Sequence, residues 1–327
     1  MDRRTFIGAV AAGIIAAPLA AGAQTATTVR HIGILSPGEP PTPANLELEY
    51  APLRALGWVV GRNLRIERRD TDGRAERLRP FAEELVRLTV EVIVTNGTAA
   101  TLAAKNATTT IPIVFVAGDP VLTGLVATLA RPGGNITGFS LVGPETNAKR
   151  LALLRELLPG LQHVGVLENS TNSYFRAARK ELEQACQSIG LQLIIIEVAA
   201  ADELESAIAE LARRRAQALF VQADSLFSAN LVPITSAALR YALPTLGAVG
   251  KEEILEAGAL VSYSHSEAEA AQRYAAFVDR ILRGAKPADL PIEQPTKFEL
   301  GINLKTAKAL GITVPLAMLL RADKVIQ

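Results

Sequence analysis

Short β-branched runs recur along this chain with amphipathic helical stretches between them, and that rhythm limits the fold more than any single residue does. "HIGILS", "VIVTN", "IPIVFVAG" and "LQLIIIEV" are nearly continuous apolar runs. Such runs mark strands buried on both faces. Between them, Leu78, Phe81, Ala82, Leu85 and Val86 fall at i, i+3, i+4, i+7 and i+8, which is one face of a helix. The pattern predicts strands at 29–36, 63–70, 90–96 and 111–118. A turn-rich stretch, "ARPGGNITG" (130–138), interrupts it. It then resumes with strands at 163–169, 191–198, 216–222, 243–249, 258–264 and 297–303. Helices are expected at 146–158, 174–189, 202–214, 229–241 and 267–283. Strands that alternate with helices pair in parallel and are covered on both faces. The expected fold is α/β: two doubly wound parallel-sheet lobes with interleaved ends and a cleft between them.

The first 23 residues stand outside this rhythm. Arg3-Arg4 precede an apolar run from Phe6 to Ala20, and Ala21-Gly22-Ala23 follow. These are the three regions of a cleaved export signal. The apolar run is short of the roughly 20 residues that span a bilayer, so no stable membrane insertion is expected. Arg3-Arg4-Thr5-Phe6-Ile7 also resembles a twin-arginine signal. The expected location is the periplasm. The chain's 34 basic and 33 acidic residues nearly balance. Losing Asp2, Arg3 and Arg4 with the signal leaves equal numbers, without the basic excess of a nucleic-acid binder. Cys186 is the single cysteine, so no internal disulfide forms. It is expected to be a small buried apolar residue.

Ligands of open parallel sheets sit beyond the carboxyl ends of the strands. In the first half those ends carry Ser36 and Gly38, Asn96, Thr98 and Ala99, and Gly118 and Asp119. In the second they carry Asn169 and Thr171, Asp224, and Ser262 and Tyr263. Nearly all are small and polar. The helix after Asn96-Gly97 begins with tiny side chains, Thr98-Ala99-Ala100. A helix start exposes unpaired N–H groups and about half a positive charge, so a carboxylate can approach closely there. Asp119 and Asp224 are the candidates to meet an ammonium group, or else they stabilise turns. His31 and His163 lie at strand starts, the wrong ends for a site. His265 has no partner at ligand spacing. No HExxH, CxxC, GxSxG or Walker stretch is present. These features predict no catalysis, no metal and no cofactor.

Five stretches carry a family resemblance: "LGWVVGRNLRIERR" (56–69), 84–115, "GDPVLTGLVATLARPGGNITG" (118–138), "KRLALLRELLP" (149–159) and "QPTKFELGINLKTAKALGI" (294–312). The chain resembles the solute-binding proteins of ABC importers with the type I periplasmic fold. The similarity is to the subgroup that includes tryptophan- and phenylalanine-binding members. It implies two lobes joined by a three-segment hinge, with residues 29–142 and 263–284 in the first lobe and 143–262 and 285–327 in the second. It also implies a monomer that closes on a small carboxylate-bearing solute, such as an aromatic or other apolar amino acid, and hands it to a permease with a cytoplasmic ATPase. In that family Ser/Thr hydroxyls and helix N-termini hold the solute's carboxylate, which maps here to Ser36, Thr98 and Ala99. The amino group maps to Asp119 or Asp224. A sensor subunit for a membrane receptor, or an enzyme on the same scaffold, are the alternative readings.

Overall fold

The computed structural model describes residues 29–141, 144–248 and 251–327. The export signal read from residues 1–23, and Val249-Gly250 at one strand end, lie outside them. The first lobe begins β1 (Arg30–Ser36), α1 (Pro43–Ala55), β2 (Leu64–Asp70), α2 (Leu78–Arg87) and β3 (Val92–Asn96). It continues α3 (Thr98–Ala107), β4 (Ile113–Ala117) and β5 (Ile136–Ser140). Its five strands pair in the order β2-β1-β3-β4-β5, all parallel. Alternate strand residues serve opposite faces. Ile32, Ile34, Val92, Val94 and Val114 pack with Leu53 of α1. Leu35, Ile93, Ile113 and Phe115 pack with Leu85 of α2 and with Ala100 and Ala104 of α3.

The second lobe runs α4 (Pro144–Leu157), β6 (His163–Asn169), α5 (Ser173–Ser188), β7 (Gln192–Val198), α6 (Leu204–Arg213) and β8 (Ala218–Val221). It goes on through α7 (Ser225–Ser228), α8 (Leu231–Arg240), β9 (Thr245–Gly247), α9 (Lys251–Glu256) and β10 (Val261–His265). The same alternation holds here. Val164, Val166 and Phe220 pack with Leu154 of α4 and with Leu182 and the buried Cys186 of α5. Leu167, Leu219 and Val221 pack with Ile208 of α6 and Ile234 of α8. Burial pushes the Cys186 thiol up to about 12, which keeps it protonated and inert.

The chain then returns to the first lobe. Helix α10 (Glu267–Leu282) lays Tyr274, Phe277, Val278 and Ile281 on the face already covered by α1. It ends in the second lobe with β11 (Phe298–Asn303), α11 (Leu304–Ala309), α12 (Leu316–Leu319) and β12 (Lys324–Ile326). The seven-stranded sheet has the order β12-β11-β10-β9-β8-β6-β7. One pair, β10–β11, is antiparallel, where an all-parallel sheet was expected. The crossover explains it: β10 leaves the sheet at the cleft edge and β11 re-enters there, so the two strands must run in opposite directions.

Three segments therefore cross between the lobes: Leu141 to α4, His265 to α10, and Glu293 to Phe298. The third is tied to the start of α10, where the Glu269 carboxylate accepts from the Thr296 hydroxyl (2.6 Å) and the Lys297 N–H (3.1 Å). Residues 285–293, expected in the second lobe, lie on the first. The Thr137 hydroxyl donates to the Leu290 carbonyl (2.8 Å), and Ser140 N–H donates to the Glu293 carbonyl (2.9 Å). Residues 263–265, expected in the first lobe, belong to β10 of the second sheet.

Strand β5 lies where the turn residues predicted an interruption. Gly138 is required there. A Cβ at this position would stand 2.1 Å from the Phe115 carbonyl oxygen of the neighbouring strand. The obstacle is backbone, which cannot rotate away. Gly138→Ala is expected to cost about 3 kcal/mol, the upper end of overpacking penalties. Urea unfolding should show a lower midpoint at an unchanged slope. An unchanged midpoint would mean that β5 does not pair as described.

Candidate functional site

In a doubly wound sheet the crevice opens where successive strands are laid down on opposite sides of their predecessor. In the first sheet that point lies between β1 and β3. In the second it lies between β6 and β8. The helices that leave each pair diverge to opposite faces: α1 and α3 belong to different core clusters. The two crevices face one another, and a cavity of about 640 Å³ lies between them. The lobes touch around it. Gly118 lies so close to the Tyr174 ring that a Cβ would meet it at 2.9 Å, and Leu122 packs on a core cluster of the second lobe.

Ser36, Gly38, Asn96, Thr98, Ala99 and Gly118 line the first-lobe wall. Gly97 is the N-cap of α3, with φ +80°, and it has no side chain to cap the helix. Thr98 is thus the first helical residue and not the cap that a threonine at a strand end suggests. It is 4% exposed. The first N–H groups of a ten-residue helix are left open beside the cavity, with the positive end of the helix dipole behind them.

Asp224 lines the opposite wall and is 8% exposed. Its carboxylate accepts from the Asn169 amide (2.9 Å), the Asn172 amide (2.9 Å) and the Leu226 N–H (2.9 Å). All three donors are neutral, and no ion pair reaches Asp224 among the described residues. Asn169 and Thr171, expected at the ligand, stand behind it. Asn169 Oδ1 accepts from both the N–H (3.0 Å) and the hydroxyl (2.7 Å) of Thr171, which fixes the amide that holds Asp224. Neither lines the cavity.

Asp119 does not line the cavity either. Its carboxylate accepts from the N–H groups of Val121 (2.8 Å) and Leu122 (3.0 Å). This is an Asx turn, and the ring-fixed φ of Pro120 suits the turn position that follows Asp119. Ser262 and Tyr263 are likewise displaced. Ser262 is buried within β10, and the Tyr263 ring stacks on Phe298 at 5.5 Å.

Other cavity residues were not anticipated. Arg150, in the second turn of α4, is 3% exposed and lines the second-lobe wall. Its Nε donates to the Tyr263 carbonyl (2.9 Å) and its Nη1 to Asn147 Oδ1 (3.0 Å). Burial pulls its pKa down to about 10, which leaves it charged at neutral pH. Gln222, His265, Tyr174, Asn147 and Asn172 also lie on this wall. The signal was in the sequence. Asn147, Arg150, Leu154 and Leu157 are spaced i, i+3, i+7, i+10, so Arg150 lies on the buried stripe of its helix.

A family model for ABC transporter substrate binding proteins matches residues 50–326, and the chain belongs to that family. A tyrosine-binding protein of Clostridioides difficile (strain R20291) is 25% identical over 261 residues, which cover 80% of this chain and 74% of that protein. A conserved domain protein from Vibrio cholerae superposes with a TM-score of 0.85 at 26% identity, covering 91% of this chain and all of that one. An ABC domain from Streptococcus pneumonia in complex with L-Trp gives 0.83 at 24% identity and the same coverage. A ligand-free, open substrate binding protein from Clostridium difficile, also 24% identical with the same coverage, gives only 0.66.

His265 yields a prediction. Burial first, and then the charge of Arg150, lower its pKa from 6.5 to about 4, while Glu269 and Glu299 oppose the shift. The folded protein thus binds fewer protons than the unfolded chain between these values, so stability must fall as pH drops from about 6.5 towards about 4. Stability above pH 6.5 is unaffected by this group. In His265→Gln the loss over that window should be smaller than in the wild type, as measured by urea unfolding at stepped pH. Parallel curves for the two proteins would show that the fold does not hold His265 uncharged.

Proposed function

We propose that this protein is an exported solute receptor that delivers an amino acid to an ABC importer. The observation that carries this reading is Asp224: a buried carboxylate, held by neutral donors alone among the described residues, in the same cavity as an uncapped helix start. A carboxylate in that setting is a fitting partner for an ammonium group. The open N–H groups of Thr98 and Ala99, with the Thr98 hydroxyl, fit the solute's carboxylate. A zwitterionic head would thus be gripped by one lobe at each pole, and gripping both poles favours the closed form. The neighbours whose names include tyrosine and L-Trp support an amino acid. The better superposition on the L-Trp complex than on a ligand-free, open relative supports a closed state. The arginine pair and apolar run at the N-terminus support export to the periplasm by the twin-arginine route.

Thr98→Val keeps the shape of the side chain and removes its hydroxyl. The loss of one hydrogen bond to a charged group should weaken solute binding by about 1.5–3 kcal/mol, a tenfold to hundredfold rise in Kd. Ala99→Glu should be worse, because it places like charge and bulk where the anion sits. Global stability should change by less than about 1 kcal/mol in Thr98→Val, since α3 keeps its backbone bonds. Titration calorimetry with the solute that co-purifies with the protein, run beside urea unfolding, measures both. An unchanged Kd in a folded Ala99→Glu protein would remove the start of α3 from the site.

A further inference from the structure

Two groups on the second-lobe wall remain unexplained by a zwitterionic head. A guanidinium carries five N–H donors. Arg150 commits its Nε to Tyr263 and its Nη1 to Asn147, and no ion pair or hydrogen bond engages its Nη2 among the described residues. Yet the side chain is 3% exposed and lines the cavity. A buried cation without a counter-anion is unfavourable, and proteins compensate it with a partner of opposite charge. Gln222, which is 5% exposed, presents a second such group to the same cavity. Its Nε2 is buried and has no hydrogen-bond partner among the described residues. Buried amide donors left unpaired are rare, and each calls for an explanation.

The position of Arg150 matters as much as the number of donors; Gln222, two residues before Asp224, lines the same cavity. Arg150 is anchored to Tyr263 on β10, whereas Asp224 follows β8, and β9 lies between. Two strand spacings put those anchor points roughly 10 Å apart. An amino acid carries its ammonium and α-carboxylate on one carbon. With the head held between Asp224 and α3, as proposed above, Arg150 is left for the distal end of the solute. We infer that Arg150 and Gln222 form an anion subsite for a second carboxylate, so that the solute is a dicarboxylic amino acid and not a purely apolar one. This inference rests on the reading of Asp224 and α3 as the site of the solute's head.

Binding can be tested by titration calorimetry with L-norleucine, L-glutamate, L-2-aminoadipate and adipate. Norleucine and 2-aminoadipate share the head and a similar chain length, and differ in the distal carboxylate. The wild type should bind at least one acidic amino acid tenfold or more tighter than norleucine. Arg150→Met should remove that preference, raising Kd for the acidic probe about tenfold or more while leaving norleucine within about twofold. Gln222→Leu should act in the same direction with a smaller effect, and it tests the subsite independently should Arg150→Met fold poorly. Failure of every acidic amino acid to bind would overturn the inference. So would an equal loss for norleucine and 2-aminoadipate in Arg150→Met, which would assign Arg150 to the shared α-carboxylate. Asp224→Asn separates this result from the head-group reading. If adipate binds as well as 2-aminoadipate and Asp224→Asn changes neither, the ammonium site is wrong while an Arg150-dependent gain stands.

Discussion

Strands in a parallel sheet can follow one another only if the chain crosses back over the sheet each time. Every strand therefore ends at the same edge. All else in this molecule depends on that constraint. It gathers the loops of each lobe at one rim, and the three crossovers turn the two rims towards each other. The antiparallel β10–β11 pair is a consequence, because both strands meet the hinge at the same edge. So is the cavity, which is walled by strand ends and helix starts and not by the apolar sheet faces, both of which are occupied by helices.

Two unlike poles result. On the first lobe, Gly97 adopts a backbone angle that suits glycine and gives α3 an entry with no capping side chain. On the second, Asn169, Thr171 and Asn172 form a neutral hydrogen-bond frame around one carboxylate. A neutral frame orients Asp224 without neutralising it. Arg150 is framed in the same manner, by a carbonyl and an amide oxygen. These groups line one cavity, and Tyr174 packed against Gly118 is part of the contact between the lobes.

Much of this was legible in the sequence, and the failures have physical causes. The bounds of α3, Thr98–Ala107, follow from where an apolar run gives way to small helix formers. Seven of the strand-end candidates line the cavity because a parallel sheet leaves them no other place: Ser36, Gly38, Asn96, Thr98, Ala99, Gly118 and Asp224. Strand β5 was missed because Gly133, Gly134 and Gly138 look alike in sequence. The first two have positive φ in open space, whereas Gly138 is a strand residue pressed on Phe115. Asp119 and Asp224 also look alike, each a polar end to an apolar run. Only Asp119 is followed by proline, and its carboxylate accepts from the N–H groups of Val121 and Leu122 instead of facing the cavity. Arg150 escaped because the search for a site followed strand ends, and this residue reaches the cavity from a helix that arrives through the hinge.

The central claim is that the two switch points grip opposite poles of one amino acid. A crystal structure of the protein with its co-purified solute in place tests this most directly. The account predicts a carboxylate within hydrogen-bond distance of the Thr98 and Ala99 N–H groups, and an ammonium within hydrogen-bond distance of Asp224. A solute bound in the cavity with neither contact, or with Asp224 facing an uncharged group, would contradict it.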